Sequence, residues 1–155
     1  MTLLLSIDPS SVSVGIALWE DGVLQMAKAL RSDLAGSESV IDQIYNLNVE
    51  FDEIAIESQQ IYGGSSLKKK AGVIKVAQYA GIAIGRLYSP GTLVSWYLPR
   101  DWKSQVPKDV FLPRIQRPLT EEETLKVELT KNKKINHDVW DAVGIGLHHL
   151  GRLKK

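Results

Sequence analysis

The sequence predicts an α/β fold: a five-stranded mixed sheet, an antiparallel meander plus two parallel strands, flanked by helices. Three observations carry that expectation. Residues 1–29 hold three short apolar or alternating runs, residues 37–98 alternate between helical and strand periodicity, and two amphipathic helical patterns follow Thr120.

Each element has its own signal. Thr2 to Ile7 is an apolar strand, and Val12 to Glu20 and Gly22 to Ala29 form two more, joined across Glu20-Asp21-Gly22. Asp-Gly favours the positive backbone angles of a two-residue hairpin. From Ser37, a candidate cap, to Asn48, the residues Val40, Ile41, Ile44, Tyr45 and Leu47 recur at helical spacing, and Glu53 to Glu57 alternates as a fourth strand. A polar Gly/Ser stretch leads into a long helix, Leu67 to Tyr88, whose apolar residues cover more than one stripe; burial on two sides is expected. The Pro90-Gly91 turn introduces a fifth strand, Thr92 to Leu98. Pro99 to Thr120 holds four of the six prolines and is expected to be irregular. One helix then follows Thr120 with acids in its first turn, and the last runs from near Asn136 to about Leu150. No repeat or linker divides the chain, so residues 1–155 read as one domain.

Composition narrows the chemistry. With 44% hydrophobic and 24% charged residues, the 155-residue chain can bury an ordinary core. The absence of cysteine excludes disulfides and thiolate metal sites, and His137, His148 and His149 lack partners at metal-ligand spacing. Hard oxygen ligands remain. The stretch from Val73 to Leu87 is interrupted by Lys75, Gln78 and Arg86, and Leu3 to Ile7 lacks the architecture of a cleavable signal. A soluble, cytoplasmic protein with no membrane contact is expected. The net charge of +1 conceals an asymmetry: residues 1–57 carry ten acids and two bases, residues 58–155 eight acids and seventeen bases. The two halves either pair within the fold or leave a basic face for phosphate.

Four carboxylates occupy positions that can converge. Asp8 and Glu57 close apolar runs, and a helical crossover between their strands can set them side by side at the carboxyl edge of a sheet, where open α/β sheets bind ligands. Asp138 and Asp141, with His137, point towards roughly one face of the last helix, while Val139, Val143, Ile145 and Leu147 offer core contact. Such a cluster has the oxygen ligands that Mg²⁺ or Mn²⁺ requires and that phosphodiester cleavage exploits. Each position also has a plainer reading. Asp8 before Pro9 suits a turn, Asp138 suits the positive end of a helix beside a capping Asn136, and His137 suits exposed helix surface.

Four stretches stand out together: Ile7-Asp8-Pro9-Ser10-Ser11, with Gly15 seven residues after the aspartate; Ile54-Ala55-Ile56-Glu57-Ser58-Gln59; Ile74-Lys75-Val76-Ala77-Gln78-Tyr79-Ala80-Gly81; and Asp138-Val139-Trp140-Asp141-Ala142. In that order they resemble the first motif, the second motif, the helix that follows it and the last motif of the RuvC Holliday-junction resolvases of the ribonuclease H-like superfamily. Ser10 replaces a common glycine, Val12 a frequent basic residue, and the segment after Glu57 is long, so the chain resembles a compact bacteriophage member more than a bacterial one. The resemblance implies a ribonuclease H-like fold and a homodimer that resolves four-way junctions by paired hydrolysis to 5′-phosphate and 3′-hydroxyl ends. It also implies two Mg²⁺ ions per site, replaceable by Mn²⁺. Asp8 would bridge the ions, Glu57 and Asp141 would flank it, Asp138 would support them, and Lys103 would be the functional basic residue after the fifth strand.

DNA contacts are expected from two basic regions. The first is Tyr62, as a wedge, with Ser65, Ser66, Lys68, Lys69 and Lys70 at a helix start; the second holds Arg100, Lys103, Lys108, Arg114 and Arg117. Lys131, Lys133 and Lys134 can add phosphate contacts. A solvated helix end explains the first lysines equally well, packing explains Tyr62 equally well, and Trp102 suits docking on the core better than base stacking. His148 and His149 read as surface and packing residues. The long helix is the interface candidate, because Gly81 and Gly85 permit close approach, either to a partner or to this protein's own sheet. The competing functional readings are a flap or RNA–DNA nuclease, a nucleotide-binding half of an actin-like ATPase, and a noncatalytic DNA-binding module.

Overall fold

The computed structural model describes residues 1–10, 13–31, 40–61, 63–104 and 106–153. Its strands are β1 (Leu3–Asp8), β2 (Ser13–Glu20), β3 (Val23–Arg31), β4 (Glu53–Glu57) and β5 (Leu93–Tyr97). The helices are α1 (Val40–Tyr45), α2 (Leu67–Leu87), α3 (Pro99–Trp102), α4 (Lys108–Gln116), α5 (Glu121–Leu125) and α6 (Lys133–His149). The sheet order is β3-β2-β1-β4-β5, with β1, β2 and β3 antiparallel and β1, β4 and β5 parallel. This is the expected meander extended by two parallel strands. Asp21 and Gly22 both take positive φ, 47° and 80°, so the Asp-Gly signal produces the two-residue hairpin it implies.

Period-two alternation divides the core. Leu5, Ile7, Val14, Ile16, Ile54 and Ile56 point to one face, under α1 and α2. Leu4, Ala17, Trp19 and Ala55 point to the other, under α6 with α3 and α4. Because Asp8 continues the Leu4–Ser6 side of β1, its carboxylate emerges beneath α6 rather than α2. Ser6 on that face is buried and donates to the Ala142 carbonyl at 2.8 Å while accepting from Trp19 Nε1 at 2.9 Å, which ties α6 to two strands.

Three expectations require correction. Pro99 to Thr120 is not irregular, because its prolines sit mostly where helices tolerate them: Pro99 in the first turn of α3, Pro107 at the cap of α4 and Pro118 past its end. Of the four prolines, only Pro113 lies in a helix interior, past the first turn. The last helix begins at Lys133 rather than near Asn136. Asn132 caps it by accepting from Lys134 N, and Asn136 instead accepts from Thr130 N at 2.7 Å. Finally, α2 is not buried on two sides. Ala80, Ala83 and Leu87 are its buried residues, and no element of the described chain covers its outer face. The candidate cap Ser37 lies outside the described residues.

The sheet edges differ. A segment after α5 closes β3, with Ala27 N donating to Lys126 O at 3.0 Å and Glu128 N to Ala27 O at 2.7 Å. Among the described residues, β5 has no strand beyond it. At the far end of the molecule, Glu123 is 2% exposed and accepts from Arg152 at 2.7 and 2.8 Å, from Leu24 N at 2.9 Å and from Thr120 N at 2.9 Å. No helix among the described residues is long and apolar enough to cross a membrane.

The Arg152 hydrogen bonds, partly opposed by burial, hold the Glu123 carboxyl at about 2, well below its ordinary 4.5. A depressed carboxylate stabilises the fold fully above its unfolded value, and the contribution fades as pH falls from about 4.5 towards 2. The linked stabilisation is about 3 kcal/mol. Arg152→Met should therefore lower stability by about 3–5 kcal/mol at neutral pH, the cost of a buried uncompensated carboxylate. In acid melts the wild-type advantage should shrink across that window; a constant gap between the two proteins would contradict this account.

Candidate active site

Two parallel strands and one helix bring the acids together. Ile7 pairs with Ile56, so Asp8 and Glu57 leave adjacent strand ends on the α6 face, each 7% exposed. α6 crosses the same edge and supplies Asp138 and Asp141. Its approach depends on Gly15, which pairs with Asp8 across β1 and β2. A Cβ at Gly15 would lie 1.8 Å from the Asp138 carbonyl oxygen, so any side chain there would push the helix and both of its aspartates away. The motif glycine is thus a backbone contact that sets the depth of the site.

The carboxylates feel one another. Burial raises Asp8 well above the ordinary aspartate range, and the charges of Asp141 and Glu57 raise it further against the pull of Lys103. Burial likewise raises Glu57, with Lys103 opposing, and raises Asp138, whose carboxylate accepts from the Ser13 hydroxyl. The Lys103 ammonium sits among them, 2.6 Å from Asp141 Oδ2 and 3.6 Å from Glu57 Oε2. Burial alone would lower its affinity for the proton, but Asp141 and Glu57 outweigh burial and hold it above the ordinary lysine value. Lys103 is set at the end of α3, and the next residue, Ser104, adopts a left-handed φ of 57° that turns the chain away.

Two partners were not foreseen. Trp102 is 1% exposed and docks on the core as expected, yet its Nε1 also donates to Glu57 Oε2 at 3.1 Å. Ser13 lies on the α6 face two residues before Gly15, so strand alternation could have placed it near the cluster; nothing local connected Trp102 to Glu57.

The other candidates fall into separate places. His137 and Lys134 are exposed and, with Lys103, Ser104, Phe111 and Leu112, line a hollow of about 570 Å³ that opens beside Asp141. Ser65, Lys69 and Lys70 line a second hollow of about 430 Å³ between the chain after β4 and the start of α2. Ser66 is committed as the α2 cap, accepting from Lys69 N at 3.3 Å, and Lys68 is exposed. Arg100 is exposed on α3. Arg114 and Arg117 line a third hollow of about 620 Å³ shared with Arg152, and none of the four acids borders it. Tyr62 and the Lys108 side chain lie outside the described residues. Lys131 and Lys133 are exposed around the start of α6. His148 and His149 pack edge-on against the Tyr97 ring, and His149 also meets Glu53.

The donor set suits a hard divalent cation: four converging carboxylates, three of them raised by burial and like charge, and no sulfur. Among the described residues no three such groups stand ready as a chelating set. Lys103 holds oxygens of Glu57 and Asp141, and Ser13 holds Asp138.

No protein-family model matches the chain, and no curated protein sequence matches it. Solved structures do. Thermus thermophilus RuvC in complex with a Holliday junction substrate is 16% identical with a TM-score of 0.67, covering 97% of this chain and 93% of its own. The fowlpox virus resolvase, solved with Holliday junction DNA, is 18% identical with a TM-score of 0.58 over 99% and 100% of the two chains. The yeast mitochondrial Holliday junction resolvase Ydc2 is 13% identical with a TM-score of 0.50 over 98% and 80%. The fold is therefore the ribonuclease H-like fold that RuvC has.

Gly15→Ala should displace α6 and lower the melting temperature by several degrees, as overpacking of about 1–3 kcal/mol does. An unchanged melting temperature would remove Gly15 from its role. Asp8→Asn should have the opposite effect in metal-free protein. A carboxyl raised by folding costs stability once pH passes its unfolded value of 3.8, and the cost grows up to the raised value. Relief of that cost should raise the melting temperature at neutral pH; a fall would show that Asp8 is not strained by its neighbours.

Proposed function

We propose that this protein is a metal-dependent endonuclease that resolves four-way DNA junctions as a homodimer, using two Mg²⁺ ions, or Mn²⁺, per active site. The observation that carries this reading is the meeting of Asp8, Glu57, Asp138 and Asp141 at one edge of a ribonuclease H-like sheet. The structural neighbours bound to junction DNA support the choice of substrate.

The four carboxylates would hold the ions, with Asp8 central, its buried carboxyl feeling all three of the others. Ions held there would supply an activated water and charge neutralisation at the leaving oxygen, which would leave 5′-phosphate and 3′-hydroxyl ends. The chain's own residues do the rest. Trp102 fixes one Glu57 oxygen, Ser13 fixes Asp138, and Gly15 sets the distance of α6. Lys103 presents a cation at the phosphate, where developing negative charge needs it. Lys68, Lys69 and Lys70 follow β4, and Lys131, Lys133 and Lys134 precede the two aspartates of α6, so basic side chains stand on both sides of the acids in the chain.

Dimerisation fits both the substrate and the uncovered helix. Ile74, Gly81, Ile82 and Gly85 share a helical stripe of α2, with Ile74 51% and Ile82 53% exposed. A Cβ at Gly81 or Gly85 would meet nothing within 4 Å, so these glycines do not pack on the protein's own sheet. A junction has two symmetry-related strands to cut, and an isologous contact along this stripe would present two sites to them.

Incubation of end-labelled four-way, flap and linear DNA with Mg²⁺ is the decisive assay. Paired cuts in the four-way substrate, lost on chelation, are expected. Cutting of linear DNA alone would defeat the resolvase reading, and binding without any cutting would favour a noncatalytic module. Ile82→Glu should yield monomers by sedimentation and single nicks in place of paired cuts.

A further inference from the structure

We propose that Lys103 is a built-in counter-ion of the acid cluster, which a divalent ion must displace in order to enter and which substrate phosphate draws away. The proposal rests on the metal-dependent reading above and concerns the regulation of that site. It begins with the oxygens. Lys103 Nζ lies 2.6 Å from Asp141 Oδ2 and 3.6 Å from Glu57 Oε2, the same glutamate oxygen that accepts from Trp102 Nε1. Its charge also sits 4.7 Å from the centroid of the buried Trp102 ring, a cation–π contact that keeps the ammonium over the site.

An ammonium and a divalent ion compete for the same oxygens and repel each other at this range. While Lys103 stays, Glu57 and Asp141 are turned towards it, and among the described residues no chelating set of three is ready. Without Lys103, the buried carboxylates would face one another with no cation between them. One side chain therefore keeps the metal-free cluster assembled and weakens its hold on metal.

The lysine also has somewhere to go. Its side chain is 31% exposed and borders the hollow that continues past Lys134 and His137, where a bound strand would offer phosphate oxygens. Its flexible stem can follow a phosphate without moving α3. Substrate that recruits the ammonium frees Glu57 and Asp141, so DNA and metal should each tighten the binding of the other. The device favours loading of the ion where there is a phosphodiester to cut.

The test measures Mn²⁺ binding to the full-length protein by electron paramagnetic resonance, with and without four-way DNA. Lys103→Met keeps the stem against Trp102 and removes the charge. It should bind Mn²⁺ about tenfold or more tightly than wild type without DNA, whereas Lys103→Arg should remain weak. Metal-free Lys103→Met should melt below wild type, and saturating Mn²⁺ should raise its melting temperature by the larger increment. Added DNA should tighten Mn²⁺ binding by a larger factor in wild type than in the variant. Lys103→Gln carries the same expectations and guards against a packing defect of the methionine. Equal or weaker Mn²⁺ binding by both folded neutral variants would overturn the inference while leaving junction cleavage standing. Equal tightening by DNA would overturn the release by substrate. Failure of wild type and variants alike to bind Mn²⁺ would overturn both the inference and the metal-dependent reading.

Discussion

Carboxylates brought out of water beside one another repel, and the free energy of that arrangement has to be offset elsewhere in the fold. Asp8 and Glu57 are each 7% exposed at adjacent strand ends, with the two aspartates of α6 above them. Lys103, Ser13 and Trp102 supply the local compensation, each by a specific contact to one carboxylate or two. The remainder comes from packing. An acid cluster with this little water persists only because the elements carrying it are held rigidly by their apolar faces.

α6 is the element on which that rigidity depends. It meets the sheet and the neighbouring helices at three glycines, each covered by something a side chain would strike: Gly15 by the helix backbone, Gly144 by Trp102 and Gly146 by Trp19. Close approach at these points allows Val139, Ala142, Val143, Ile145 and Leu147 to be fully buried. Deleting buried groups of this kind costs about 2–5 kcal/mol each, and here the cost would be felt at the site as well as in the core. The buried chain from Trp19 through Ser6 to the Ala142 carbonyl fixes the rotation of α6 about its axis. Rotation of one residue would turn Asp138 and Asp141 away from Asp8.

Charge and exposed apolar surface divide the rest of the molecule. The acid-rich first part of the chain builds β1 to β4 and contributes two of the site's carboxylates, while the base-rich second part builds α2 and the helices around the site. Part of the asymmetry is used internally, where Lys103 meets Glu57, and Lys68, Lys69 and Lys134 remain exposed. The outer stripe of α2 is apolar and glycine-containing. Its burial on two sides, expected from the pattern, requires a second surface that the described chain does not itself supply.

Local pattern was enough for the five strands, the hairpin at Asp21-Gly22, the α6 face carrying the two aspartates, and the placement of Asp8 and Glu57, because alternation and strand-end position are properties of consecutive residues. The prolines of residues 99–120 misled because their effect depends on where helices begin and end, and Asn136 looked like a cap because α6 starts a turn earlier, at the cap Asn132, leaving Asn136 to bind back to Thr130 six residues before it. Tertiary structure alone decided that Gly15 sets the depth of α6, that Trp102 holds Glu57, and that Lys103 stands between Glu57 and Asp141. Those contacts join residues 38 to 123 positions apart in the chain. A side chain's chemistry is written in its identity, but the company it keeps at such separations is set by the packing of the whole sheet and helix.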